Sequence, residues 1–264
     1  ESIEAGYVAE QVRLSMYENF GQKAYEEGFK VYTTIDTQMQ LAAQESVSKG
    51  LDQYDSRHDW HGSGINLKKK YGEDKSNWKR HLEKTPITPT GLIPGAVLNI
   101  EENVVLVYLA DGRCVFAKDK EGKWFKDKMS QSLHYAEQIM LKRENDSWFI
   151  GQVPKVQGAL VSIEPRTGRL KALVGGYQFD RSHFNRATQA YRQPASSIKP
   201  FLYSMALENG YSMASIINDS PIVEEDMHGD SSYWRPNNVD KKFKGPISLR
   251  KALTLSRNLV TIRL

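Results

Sequence analysis

The chain has one cysteine in 264 residues, Cys114, so no intramolecular disulfide can form, and cysteine usage says little about compartment. A lone cysteine of this kind is expected as a small core residue. No apolar run reaches the ~18 residues that a membrane helix needs. The first residues, Glu1-Ser2-Ile3-Glu4-Ala5, have neither the charged nor the apolar region of a signal peptide. These residues therefore contain no membrane anchor. Charge of one sign is also scarce: 36 basic against 32 acidic residues leave +4, which gives nucleic-acid binding little support. His58, His61, His81, His134, His183 and His228 are scattered without H-x-x-H or H-E-x-x-H spacing, so neither a metal nor a cofactor is expected. What is present is an ordinary globular composition, 39% apolar plus 19 glycines. The chain ends inside the apolar run Leu259-Val260-Thr261-Ile262-Arg263-Leu264, with no glycine, proline or polar stop, and both ends read as cut.

Residues 4–27 read as a helix, with Val8, Val12, Met16 and Phe20 four apart and Gly28 as its stop. Phe29-Lys30-Val31-Tyr32-Thr33-Thr34-Ile35 is β-branched and aromatic, which predicts a strand. Asp36 or Thr37 then caps a helix to about Tyr54, interrupted at Gly50. Residues 55–94 are dominated by charge, with Lys68, Lys69 and Lys70 in a row and Pro86, Pro89 and Pro94, and read as loop and linker.

Residues 95–153 change character. Apolar runs at 96–100, 104–109, 113–117 and 148–153 alternate with turn residues, Asp111-Gly112 being the strongest hairpin signal. The pattern predicts a small antiparallel barrel, a class that includes the OB-fold. From residue 157 the texture shifts again. Gly158-Ala159-Leu160-Val161-Ser162-Ile163 and Leu170-Lys171-Ala172-Leu173-Val174-Gly175 flank Arg166-Thr167-Gly168 and read as a buried hairpin. Residues 200–207 and 248–264 read as helical, so the whole is mixed α and β.

The chemistry concentrates at Gln193-Pro194-Ala195-Ser196-Ser197-Ile198-Lys199-Pro200-Phe201, which contains S-x-x-K. On a helix, residues three apart share a face, so Ser196 Oγ and Lys199 Nζ can come within hydrogen-bond reach. A serine hydroxyl is a poor nucleophile until something takes its proton, and burial lowers a lysine's pKa enough to let it serve. The helix N-terminus adds help for the developing oxyanion. The pattern alone is weak: Ser46-Val47-Ser48-Lys49 and Ser76-Asn77-Trp78-Lys79 match it too and read as solvated charge. Ser196 is set apart by its Pro-Ala lead-in, Pro200 and the apolar helix that follows. Ser256-Arg257-Asn258, the one S-x-N in the chain, lies downstream. Its hydroxyl can relay a proton to a leaving amine while the carboxamide holds a substrate amide. Taken alone, it reads as a polar turn within a surface helix.

Ser196-Ser197-Ile198-Lys199-Pro200-Phe201, Trp234-Arg235-Pro236-Asn237-Asn238, Gly245-Pro246-Ile247-Ser248-Leu249-Arg250-Lys251-Ala252-Leu253 and Ser256-Arg257-Asn258 together resemble class A penicillin-binding proteins of the 1A type. Val31-Tyr32-Thr33-Thr34-Ile35-Asp36 with Gln40 and Ala42-Ala43 looks like the family's entry into its transpeptidase domain. Arg166-Thr167-Gly168 to Gly175-Gly176 looks like the hairpin before its nucleophile. The resemblance implies an α+β fold: an incomplete serine transpeptidase domain of the penicillin-binding/β-lactamase-like kind, with an inserted OB-like barrel. Residues 1–54 would be a linker helix and the first strand and helix of that domain, 55–94 a charged linker, 95–153 the barrel and 157–264 the N-terminal part of the transpeptidase domain.

The resemblance further implies that Ser196 is acylated, that Lys199 activates it, and that Ser256 and Asn258 assist proton transfer and substrate binding. The activity implied is D,D-transpeptidation of peptidoglycan stem peptides, trapped by β-lactams, at the periplasmic face of the bacterial inner membrane. The OB-like domain would be where a cell-wall regulatory protein docks. Ala195 stands where the family usually has glycine, a change with no Cβ-dependent chemistry at stake. The family's third motif, K-T-G or K-S-G, is absent; Arg166-Thr167-Gly168 precedes the nucleophile and sits at a turn. That motif is expected beyond Leu264, and a glycosyltransferase domain and membrane helix upstream.

Two other readings differ in class. One is a non-catalytic partner- or glycan-binding module built on the barrel; the other is a serine β-lactamase, for which no deacylating glutamate is evident. Glu224-Glu225-Asp226 with His228 reads as an exposed acidic loop rather than a cation site. Trp60, Trp78, Trp124, Trp148 and Trp234 read as packing anchors rather than glycan platforms.

Overall fold

Asp36 opens the longest helix: its carboxylate accepts the Met39 N–H at 3.0 Å, satisfying a donor that the first turn leaves free. A computed structural model describes residues 5–122, 124–125, 129–225 and 233–264. Residues 1–190 form one compact unit and residues 191–264 another.

In the first unit, helix α1 (Gly6–Phe20) stops at Gly21, in the left-handed region, and a short turn of helix follows, α2 (Lys23–Glu26). The stop therefore comes seven residues before the expected Gly28. Residues 29–35 do not form the expected strand. They run extended beside the later hairpin, tied by Thr34 Oγ1 to the Leu170 carbonyl (2.7 Å) and by the Asp36 N–H to the Lys171 carbonyl (2.9 Å), with Tyr32 89% exposed. Helix α3 (Thr37–Asp55) passes straight through Gly50, because buried residues on both sides of the glycine, Gln40, Ala43 and Ser48 before it and Asp55 after it, fix the helix there.

The charged stretch 55–94 is not simply linker. It holds α4 (Leu67–Tyr71), capped by Asn66, and α5 (Lys75–Lys84), capped by Asp74. Leu67, Trp78 and Leu82 are fully buried from these helices and pack with Ala96 and Ala136. Three large apolar residues among many lysines suffice, since each buried side chain contributes about 1.5–3 kcal/mol.

The barrel comprises β1 (Ile93–Ile100), β2 (Val105–Leu109), β3 (Cys114–Lys118), β4 (Gln138–Glu144) and β5 (Ser147–Gly151), closed in the order β1-β2-β3-β5-β4. A short helix, α6 (Met129–Ser132), precedes β4 and buries Met129 in its core. The barrel is not wholly antiparallel: β3 and β5 pair in parallel to complete the closure. Gly112, at φ 87°, makes the β2–β3 turn. Strand β4 left no pattern in the sequence, because Met140, Leu141, Lys142 and Glu144 favour helix and tertiary pairing overrode them. Val97, Val105, Val107, Leu109, Ile139, Leu141 and Ile150 fill the interior. Cys114 is exposed, against expectation, because alternate side chains of β3 point outward.

Strands β6 (Leu160–Ile163) and β7 (Leu170–Val174) form the expected hairpin, with Gly168 at φ 70° in its turn. Only β7 is well buried; Val161 and Ile163 of β6 remain 44% and 54% exposed. Helix α3 covers β7 through Ala43, packed with Ala172 and Val174.

The second unit contains α7 (Lys199–Glu208), β8 (Ile216–Asp219), β9 (Glu224–Glu225), β10 (Tyr233–Trp234), β11 (Gly245–Ser248), α8 (Leu249–Thr254) and α9 (Asn258–Arg263). Strand β11 pairs antiparallel with β8, and β9 with β10. Tyr203, Ile247, Leu249, Ala252 and Val260 form its core. The stretch 248–264 is thus two helices broken at residues 255–257, and that break carries Ser256.

Candidate active site

Ser196 sits in a 3₁₀ turn, Ala195–Ile198, that leads directly into α7, and its side chain is exposed. Lys199 is the first residue of α7. It lies on that helix's buried face with Tyr203 and Ala206, four and seven residues on, so it is only 6% exposed. A buried ammonium needs partners, and its three protons are all taken. Nζ donates to the Ser256 carbonyl (2.7 Å), Ser256 Oγ (3.0 Å) and Asn258 Oδ1 (2.7 Å). Three of the four predicted site residues therefore meet at one nitrogen. The fourth, Ser196, precedes Lys199 by one 3₁₀ turn, where residues three apart eclipse. The expected Ser196–Lys199 hydrogen bond is not among the contacts of the described residues, because the lysine's donors face Ser256 and Asn258. Ser197 Oγ instead donates to the Pro194 carbonyl.

Burial pushes the Lys199 ammonium below the usual lysine range, and the nearby Arg257 cation pushes it further the same way. Both effects favour the neutral amine, the form that can accept a hydroxyl proton.

Ser256 is placed by the way α8 ends. Its N–H donates to the Leu253 carbonyl and the Arg257 N–H to the Ala252 carbonyl, each at 2.9 Å, the paired bonds of a Schellman ending. The position between them requires left-handed backbone, normally supplied by glycine, yet Ser256 occupies it at φ 52°. Ala195 is also left-handed, at φ 47°. Its methyl group therefore carries a conformational cost, beyond the absence of any Cβ-dependent chemistry that the sequence suggested.

Sequence reasoning missed the groups around this turn. Arg257, 4% exposed, turns away from Lys199 and bonds Asp219 (2.8 Å) and both oxygens of Asp240 (3.0 Å). Asn238, 3% exposed, accepts the Asn258 N–H at 2.9 Å, and the Asn237 carbonyl accepts from Asn258 Nδ2 at 2.9 Å. Asn237-Asn238 had stood out only as part of the motif after Trp234; nothing local marked Asp219.

Two of the other S-x-x-K matches belong to the first unit, and a further one, Ser248-Leu249-Arg250-Lys251, is a helix cap, Ser248 Oγ accepting the Lys251 N–H at the start of α8. Ser46 is exposed on α3 with Lys49 paired to Glu45, and Ser76 donates its hydroxyl to Asp74, the cap of α5. Trp78 is a fully buried anchor, Trp60 packs against Trp124 and Phe125, and Trp234 is 45% exposed. Asp226 and His228 lie outside the described residues. Among those residues, no cluster of three histidine, cysteine or acidic side chains could hold a metal.

Residues 158–264 match the family model described as the penicillin binding protein transpeptidase domain, and residues 60–156 the penicillin-binding protein OB-like domain. Penicillin-binding protein 1A of Pseudomonas aeruginosa is 39% identical over 99% of the chain, and that of Escherichia coli 38% over 99%. The chain spans 33% and 32% of those proteins' lengths. The crystal structure of penicillin-binding protein 1A from Haemophilus influenzae superimposes with a TM-score of 0.84 at 35% identity, covering 100% of this chain and 39% of that one. The two domain matches in sequence order, with an S-x-x-K and an S-x-N joined at one buried lysine, lead to a single assignment: this chain belongs to the penicillin-binding proteins of the 1A type.

Proposed function

We propose that this chain supplies the nucleophile and proton-transfer side of a peptidoglycan D,D-transpeptidase site, in a protein working at the periplasmic face of the inner membrane. The observation that carries the reading is the buried Lys199 joined to Ser256 and Asn258, one turn after Ser196. Once neutral, Lys199 takes the Ser196 proton as Oγ attacks the carbonyl between the two terminal D-alanines of a stem peptide. The tetrahedral intermediate then collapses. The C–N bond breaks, the leaving amine receives a proton through Ser256, and D-alanine departs, leaving an ester on Ser196. The amine of a second stem attacks that ester, Ser196 regains its proton, and the cross-link is complete. Asn258 holds the substrate's backbone amide and orients the lysine. A β-lactam enters the same path and stops at the ester.

The test is intact mass spectrometry of the full-length protein carrying this segment after incubation with benzylpenicillin. One penicilloyl adduct mapping to the peptide that contains Ser196 supports the reading. An unmodified protein that still makes cross-links contradicts it.

A further inference from the structure

Two residues of the S-x-N stretch face Lys199, and the one between them faces the opposite way into a buried polar network whose parts have no role in the chemistry above. Asp219, at the end of β8, is fully buried. Its Oδ1 accepts from Asn238 Nδ2 at 2.8 Å, and its Oδ2 accepts from Arg257 Nε at 2.8 Å and the Lys244 N–H at 3.0 Å. Arg257 spends its remaining donors on Asp240 and the Lys242 carbonyl. The Asn238 amide is equally committed: Nδ2 also donates to the Lys242 carbonyl (2.9 Å), and Oδ1 accepts from the backbone N–H groups of Asn258 (2.9 Å) and Leu259 (3.4 Å). Helix α9 has no cap from its own preceding residue, so Asn238 caps it from twenty residues upstream.

These contacts act on the geometry at Lys199 from both sides. A serine in left-handed backbone is strained and persists only where its surroundings over-determine it. Arg257, next in sequence and locked at both ends of its guanidinium, supplies that constraint for Ser256. Asn238 fixes the backbone of Asn258, while the Asn237 carbonyl engages Nδ2, so that Oδ1 is the atom turned to Lys199.

We propose that Arg257 and Asn238, anchored on the buried carboxylate of Asp219, are positioning residues that hold Ser256 and Asn258 on Lys199 and set the charge environment in which that lysine exchanges its proton. The inference rests on the proposed role of Lys199. The charged and titratable groups around the lysine are few. Arg257 lies in the turn, Asp219 and Asp240 lie beyond its guanidinium, and Tyr203 follows on α7, its phenol pushed up by burial. Arg257 is the cation among these that acts on Lys199.

The test pairs a proton-affinity measurement with a rate. The Lys199 side chain is titrated by ¹³C-lysine NMR in this 264-residue chain, and β-lactam acylation is followed against pH in the full-length protein. Arg257→Gln removes the neighbouring cation, so Lys199 titrates at higher pH, the acylation profile moves the same way, and the rate at neutral pH falls about 10- to 100-fold. Asp240→Asn, at a half-exposed position that tolerates substitution, leaves Arg257 less neutralised and shifts the lysine in the opposite direction. Asn238→Ala lowers the acylation rate by a similar factor. Opposite signs from Arg257→Gln and Asp240→Asn support the proposal, even if one variant proves too unstable for kinetics. An unmoved Lys199 titration in both, with only a lower melting temperature, reduces the network to a structural one and overturns it. Continued labelling of Ser196→Ala would instead overturn the underlying assignment of the nucleophile and leave the titration result standing.

Discussion

The carboxamide oxygen of Asn258 accepts a hydrogen bond from Lys199 Nζ at 2.7 Å, across fifty-nine residues of sequence, and this is what turns two short motifs into one site. Asn258→Ala removes that acceptor and leaves one lysine proton without a partner. Acylation by a β-lactam is expected to fall about 10²- to 10³-fold, as on removal of one preorganised polar group from a reacting centre. Stopped-flow acylation rates check it; a loss below tenfold would show that Ser256 alone orients the lysine.

Lys199 also sets a pH dependence. Its pKa is pushed down from the ordinary lysine value, so the neutral form appears at lower pH than for a free lysine. The acylation rate should rise with pH through that depressed value and level off before the normal lysine range. Lys199→Ala should abolish the rise and cost about 10²- to 10⁴-fold, the usual contribution of a general base. A profile that keeps rising into the normal lysine range would mean that burial does not tune this group.

Ala195→Gly is expected to stabilise the protein by about 1 kcal/mol, because the left-handed backbone at φ 47° carries a penalty for any residue with a Cβ. Thermal unfolding measures it. An unchanged or lower melting temperature would show that the unfolded chain's gain in freedom cancels the relief of strain.

Gln40 pairs with Leu173 as a strand would: its Nε2 donates to the Leu173 carbonyl at 3.0 Å and its Oε1 accepts the Leu173 N–H at 2.8 Å. The side chain is 2% exposed, so Gln40→Ala strands two backbone groups of β7. Each unsatisfied buried group costs about 1–3 kcal/mol, which predicts a loss of about 2–4 kcal/mol by chemical denaturation. Gln40→Glu, which keeps the acceptor but loses the donor, should be destabilised as well.

Asp52 tests the electrostatics of α3. Its carboxyl is pushed above the usual range by burial, and one of its oxygens has no hydrogen-bond partner. A carboxyl whose folded pKa is raised holds its proton in the folded state after the unfolded chain has released its own. Stability is therefore lost as pH rises from the unfolded value through the folded one. Asp52→Asn should raise the melting temperature at neutral pH and give little gain near pH 4; equal gains at both would rule out a charge effect.

The barrel and the S-x-x-K spacing were legible because each is written locally. Asp111-Gly112 forces a hairpin between β-branched runs, and Ser196 and Lys199 are three residues apart. What stayed hidden is decided at long range. Strand β4 consists of residues that favour helix and is made a strand by pairing with β1 and β5. Residues 29–35 have strand composition but are tied to β7 by a side-chain bond from Thr34, with the next backbone bond coming from Asp36. Helices α4 and α5 lie in a lysine-rich stretch, where three buried side chains, Leu67, Trp78 and Leu82, outweigh the charge. In the site, the partners of Lys199 lie beyond α8, and Asp219, the anchor of the whole turn, sits on β8 with no motif around it. A left-handed serine in place of a helix-ending glycine left no pattern, because only the finished packing makes that conformation worth its cost.

The central claim is that Ser196, among the serines with a lysine three residues on, is the nucleophile. Labelling of the full-length protein with a fluorescent penicillin, followed by peptide mapping, tests it most directly. Ser196→Ala should abolish the label, since losing an essential nucleophile costs on the order of 10⁶ in rate, while Ser46→Ala and Ser76→Ala leave it intact. Persistent covalent label on the Ser196→Ala protein, mapped to another serine, would contradict the account.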